Sequence, residues 1–201
     1  MAIGLAWAKA SRYAGGNSTD LGVSPLGRDL VREMDRLRIV HDVSHLSERA
    51  FDELLSLTAR PVVASHSNCR ALLGGENAAN RQRHLTDAQI RAIASRGGVI
   101  GLNLFAQFVR SGLEGAQRPS IDDAIAHVEH VCSLTGSRAH VGLGSDMDGG
   151  LSAARLPDGI DSPADLPKLL GALARRGWSD RDLRGFACEN WVRSLAAAMN
   201  A

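Results

Sequence analysis

Short β-branched and apolar runs alternate along the chain with helical patterns, at intervals that suit repeated β/α units rather than hairpins. Residues 2–7, 40–44, 61–65, 99–104 and 140–145 read as strands. Helix starts lie between them: Ser47 leads into ERAFDELLSL, Thr86 and Gln89 frame a capping box, and Ser120 leads into IDDAIAHVEHVCSL. Two further helices close the chain, one opened by Ser162 with Pro163 in its first turn, the other by Ser179. Nearly continuous apolar strands joined by helices predict an α/β fold with a parallel sheet covered on both faces. The loop-rich stretches at 15–24, 74–80, 111–120 and 149–163 do not resemble domain linkers, and no repeat of fixed period is present, so residues 1–201 read as one domain.

The polar residues that interrupt this pattern fall at one kind of place. His45 follows HDVS, His66 follows PVVAS, Asn103 sits in GLNL, and Asp146 and Asp148 follow HVGLGS, each at the carboxyl end of a strand. In a parallel α/β fold those ends share one face, which carries the active site in barrels and open sheets alike. If the His45 and His66 strands are neighbours, about 4.8 Å apart, both imidazoles can reach one metal at roughly 2.0 to 2.1 Å. Asp146, delivered by a later strand, is placed to orient or deprotonate a bound water. Histidines that close a strand on neighbouring backbone would occupy the same positions, and spacing alone does not separate the two readings.

Composition narrows the class. The 201 residues are 44% hydrophobic, enough for one sizeable core, and the net charge of +1 comes from 23 basic and 22 acidic residues without a basic block. Nucleic acid and acidic membrane surfaces are therefore not expected partners. Cys69, Cys132 and Cys188 form no CxxC, which fits a reducing compartment. The segment MAIGLAWAKASRYAGG has no charged stretch followed by a long apolar run, so neither a signal peptide nor a membrane span is expected and a cytoplasmic location is.

Four segments, LGVSPLGRDLVREMDRLRIVHDVSHLS, PVVASHSNCRAL, RHLTDAQIRAIASRGGVIGLNLF and VGLGSDMDGG, resemble the membrane dipeptidase (renal dipeptidase) family of zinc metallopeptidases, from about Ile3 to the last helix and in the family's order. The resemblance implies a (β/α)8 TIM-barrel-like metallohydrolase that cleaves dipeptides with two zinc ions bridged by a carboxylate and a water. It implies that His45 and His66 bind one zinc and that Asp146 handles the proton passed to the leaving amine. Arg83 would grip the substrate's terminal carboxylate with its planar two-pronged donor, with Arg81 as the alternative two residues away. Trp7 stands where some relatives carry a substrate-contacting histidine, and would line the pocket together with Asn103.

The chain also departs from the family. The HxD strand that opens the family pattern and the later bridging glutamate are missing, and the nearest imitation, His127-Val128-Glu129, lies in a helical pattern. The five strands correspond to the later units of the barrel, so the resemblance implies an incomplete barrel with exposed sheet edges. A homo-oligomer, or pairing with a chain that supplies the missing strands, is the expectation. A zinc dipeptidase, a peptide-binding remnant without turnover and a single-metal amidohydrolase-like enzyme acting on a small amide are the competing functions. His41 and His130 read as packing histidines, Asp42 as a partner to helix-side donors, Asp148 as a turn residue, and Trp178 and Trp191 as packing residues.

Overall fold

The computed structural model describes residues 1–77, 80–150 and 152–200. All five expected strands form, each shorter than its apolar run: β1 (Ala2–Gly4), β2 (Val40–Asp42), β3 (Val62–Val63), β4 (Ile100–Leu102) and β5 (Val141–Leu143). The residues beyond each strand's carboxyl end peel away into the loops that carry the polar side chains. Pairing is parallel throughout, with Ile3 beside His41, His41 beside Val62, and Gly101 beside Gly142. A parallel bridge between Ala64 and Ile100 joins the two groups, so the strands run in sequence order.

Helices follow the strands as local sequence dictates. The first, α1 (Pro25–Arg36), has Pro25 in its first turn and is capped by Ser24, whose hydroxyl accepts from Gly27 N. Ser47 caps α2 (Glu48–Leu57) and the Thr86/Gln89 capping box opens α3 (Asp87–Ser95). After β4 come the single turn α4 (Ala106–Val109) and the longer α5 (Ile121–Thr135), which Ser120 opens and Gly136 ends in a left-handed conformation. Ser162 caps a 3-10 turn at Pro163–Asp165 rather than a full helix, and α6 (Pro167–Arg175) starts at the next proline. Ser179 opens α7 (Asp180–Arg184), which continues through a π-helical turn (Gly185–Glu189) into α8 (Asn190–Asn200). Of the expected loops, 74–80 and 149–163 contain Ala78, Ala79 and Leu151, which lie outside the described residues.

The two faces of the sheet are covered differently. Val62, Ala64, Ile100, Leu102 and Val141 join the main core with the inward residues of α1, α2, α3, α5 and α6. On the opposite face, Val40 and Val63 pack against Ala198, Trp191 and Leu195 of α8. That helix runs across the amino ends of the strands: Ser194 Oγ donates to Gly97 O before β4, and Arg60 before β3 donates to Ala198 O. Both faces are thus covered near the entries of β3 and β4.

The edge of β5 is not bare. Asn190 Nδ2 donates to Val141 O at 2.8 Å and Trp191 Nε1 to Leu143 O at 2.9 Å. Two side chains of α8 thereby take carbonyls of the β5 edge, which the sequence alone left exposed. No helix among the described residues is long and apolar enough to cross a membrane.

Glycine is needed where β4 passes the site. A Cβ on Gly101 would sit 2.0 Å from Ser65 O and 2.9 Å from Gly144 Cα, both backbone atoms that cannot swing aside. Gly101→Ala is expected to destabilise the protein by about 1 to 3 kcal/mol, as overpacking of a filled interior does. Urea unfolding checks this, and an unchanged midpoint would show that the backbones are not in contact.

Candidate functional site

Each site residue leaves the sheet at a strand exit. After β2 the chain turns through His45, whose φ of 69° lies in the left-handed region that a histidine seldom adopts. After β5, Asp146 is in the same region with φ 56°. The loops therefore hold both side chains in place at a backbone price, a pattern that concentrates at functional sites. His66 follows β3, and the three exits converge as their common direction in a parallel sheet requires.

At the centre of the site the two imidazoles face each other. His45 Nε2 and His66 Nε2 stand 3.0 Å apart, with ring centroids at 4.9 Å. Their other nitrogens settle which atoms carry protons. His45 Nδ1 lies 3.0 Å from Asn17 Oδ1, an acceptor, so Nδ1 is the N–H. His66 Nδ1 lies 2.6 Å from Ser65 Oγ, while Ser65 Oγ donates to Asp42 Oδ2 at 2.5 Å. The serine proton is committed to the carboxylate, so Ser65 accepts from His66 Nδ1–H.

Both rings are held neutral. Burial pushes His45 down to about 3, helped by the Arg83 guanidinium and by His66. Burial and Arg83 also lower His66, against the opposing carboxylates of Asp146 and Asp42. Two neutral imidazoles protonated at Nδ1 present bare Nε2 lone pairs to each other, an arrangement that a cation between or beside them relieves. This donor set fits two nitrogen ligands of one divalent metal. Among the described residues no third histidine, cysteine, aspartate or glutamate joins them, so the set is short of a four-coordinate zinc shell.

The remaining expected residues surround this pair. Arg83 is 3% exposed and donates from Nη1 to Ser67 Oγ at 3.0 Å and from Nη2 to His66 O at 2.7 Å. Its Nε finds no partner among the described residues, and burial lowers the guanidinium to about 10 against the pull of Asp146 and Asp42. Arg81, the alternative, points outward to Glu76. Asp146 Oδ2 accepts from Asn103 Nδ2 at 2.9 Å. Asn103 has no exposure and also takes Phe105 N on Oδ1, so it stands behind Asp146 rather than on the open wall. Trp7 lies beyond the end of β1, 72% exposed, with its ring 5.9 Å from that of His45.

Other histidines are occupied elsewhere. His41 is buried against Asp35, on the helix side of the sheet. His127 accepts from Cys69 N and donates to Val109 O, tying the loop after β3 to α5. His130 pairs with Asp87. Asp42 is not turned to helix-side donors as expected: it takes Ser44 N and Ser65 N on Oδ1 and the Ser65 hydroxyl on Oδ2. Sequence reasoning missed Asn17, which sits in a glycine-rich loop without a motif. It also left Ser65 unread, although Ser65 directly precedes His66.

The sequence and the fold both match known proteins. The family model for the membrane dipeptidases (Peptidase family M19) matches residues 2–201. An uncharacterised protein of Klebsiella pneumoniae from the pqqA 5' region is 33% identical, with 96% of this chain aligned to 70% of that one. An uncharacterised dipeptidase of Schizosaccharomyces pombe is 32% identical, with 89% of this chain aligned to 41% of its length. Among solved structures, a metallo peptidase from Rhodobacter sphaeroides liganded with a phosphinate mimic of the dipeptide L-Ala-D-Ala superposes with a TM-score of 0.86 at 32% identity. That match takes 98% of this chain and 55% of the other. The dipeptidase AC, also of family M19, gives 0.87 at 32% identity, with this chain spanning 58% of it.

Proposed function

The chain belongs to the membrane dipeptidase family, and on that premise we propose that it carries the metal-binding and proton-handling part of a zinc-dependent, dipeptide-hydrolysing centre. The observation that supports this most is the pair of bare Nε2 atoms 3.0 Å apart. His45 and His66 would hold one zinc ion. A divalent ion there supplies Lewis acidity toward a peptide carbonyl and a water of lowered pKa.

The chain's own residues account for the rest of the proposal. Asp146, held by Asn103 Nδ2, presents its other carboxylate oxygen as the site at which a proton is taken up and passed to the leaving amine. Arg83 would grip a substrate carboxylate with its planar two-pronged donor; its Nε is buried and both Nη groups already bond Ser67 Oγ and His66 O, so that grip requires the guanidinium to shift toward the mouth. Trp7 would wall the open side beside His45 with an apolar ring. A bound mimic of L-Ala-D-Ala in the Rhodobacter relative makes that dipeptide the first substrate to try.

A second reading follows from the short ligand set: the chain binds a peptide-like ligand without hydrolysing it. Release of alanine from L-Ala-D-Ala by the zinc-supplemented protein distinguishes the two. Turnover that falls by about 100-fold or more in Asp146→Asn, in line with loss of a general acid or base, is the expected result. Dipeptide binding without any alanine release overturns the hydrolytic reading for this chain.

A further inference from the structure

We infer that Asp42, acting through the Ser65 hydroxyl, is a positioning residue that fixes His66 in the tautomer with a bare Nε2; the inference rests on the proposed metal site and adds the part that sets its ligand. Asp42 reaches His66 through the Ser65 hydroxyl. It ends β2, and its two oxygens divide their work. Oδ1 accepts Ser44 N and Ser65 N, each at 3.0 Å, and so holds together the exits of β2 and β3 that carry the two histidines. Oδ2 takes the Ser65 hydroxyl at 2.5 Å.

The direction of this second bond decides the chemistry at His66. A carboxylate oxygen only accepts, so Ser65 must donate to it, and the serine is left with lone pairs for the imidazole. His66 Nδ1, 2.6 Å away, therefore carries the proton and Nε2 does not. Hydrogen bonds in such a chain polarise one another, so the negative end at Asp42 also makes Nε2 a stronger donor to a metal. A neutral group at Oδ2 would leave the serine proton free to turn toward Nδ1. Nε2 would then hold a hydrogen where a ligand is needed.

Asp42→Asn separates this role from a merely structural one. The asparagine keeps the oxygen that receives Ser44 N and Ser65 N and replaces Oδ2 with an NH2 group. That group donates to Ser65 Oγ, reverses the serine and drives His66 to the Nε2–H tautomer. The tautomer is read in the metal-free full chain by long-range 1H–15N correlation at one fixed neutral pH, and zinc affinity by chelator competition. The expected results for Asp42→Asn are inversion of the His66 pattern and a loss of zinc affinity of about 10- to 100-fold, the usual effect of removing a partner behind a metal ligand.

Ser65→Ala, which leaves both backbone bonds to Asp42, is expected to give mixed tautomers and a similar loss. Ser65→Thr, which restores the hydroxyl, is expected to return affinity to within about threefold of the original, on the same scale of effects. A His66 that keeps its Nδ1 proton in both Asp42→Asn and Ser65→Ala overturns the inference. Because the tautomer is read without metal, failure of the unsubstituted chain to bind zinc counts against the proposed function and leaves the test of Asp42 intact.

Discussion

His45→Ala and His66→Ala are each expected to lower the affinity of the chain for zinc by about 100-fold or more. Loss of an outer partner alone already costs 10- to 100-fold, and these variants remove a donor itself. Each leaves one imidazole where two faced each other at 3.0 Å, and no other histidine, cysteine, aspartate or glutamate among the described residues completes a group of three. His130→Ala serves as the control, since His130 is engaged with Asp87 on the helical layer, and it is expected to bind zinc as the unsubstituted protein does. Chelator competition reads all three. Retained affinity in either site variant would move the metal away from this pair.

Acid is expected to unfold the metal-free protein early, and His127 is a principal reason. Burial lowers its imidazole to about 4 from an ordinary value of 6.5. Between those values the unfolded chain binds a proton that the folded chain refuses. The unfolded state is therefore favoured increasingly as pH falls through that window, and stability is fully present only above it. For a side chain as enclosed as this one, the loss over the window is on the order of 3 kcal/mol. His127→Gln keeps an acceptor for Cys69 N and a donor for Val109 O without the titration. The slope of urea-unfolding stability against pH between about 6 and 4.5 should flatten by up to ~1.4 kcal/mol per pH unit, one proton's worth. An identical slope in the variant would show that His127 is not held neutral by its enclosure.

Much of this was legible in the sequence because the parallel α/β rule converts strand exits into one surface. The β-branched runs located all five strands, and the polar residues after three of them, His45, His66 and Asp146, lie at strand exits as expected. Ser47, Thr86, Ser120 and Ser179 announced their helices because an N-cap hydroxyl is a local device that needs no tertiary context. The 3-10 turn after Ser162 shows the limit of that signal, since the same cap serves a turn that ends within three residues.

What escaped the sequence was set by tertiary contact. The helix α1 has six charged residues among its twelve and was not read from periodicity, although Ser24 and Pro25 mark its start. Its burial depends on a narrow stripe at Gly27, Val31 and Met34. Asn17 lies 28 residues before the histidine it orients, a distance no spacing rule covers. The path of α8 across the strand entries was equally hidden. Its amphipathic pattern says that one face is buried, and only the packing shows that Asn190 and Trp191 take the carbonyls of the β5 edge. The identities and superpositions place these five β/α units within a TIM-barrel-like fold, of which the chain spans 55 to 58% in the two dipeptidase structures compared.

What His45 and His66 hold decides whether this chain carries a metal centre. Zinc K-edge X-ray absorption of the chain loaded with one equivalent of zinc tests it most directly. The expected spectrum shows two imidazole nitrogens at about 2.0 to 2.1 Å, completed by oxygen ligands and without sulfur. Sulfur scattering at about 2.3 Å, the distance of a thiolate ligand, or a spectrum unchanged in His66→Ala, would place the metal elsewhere and contradict the account.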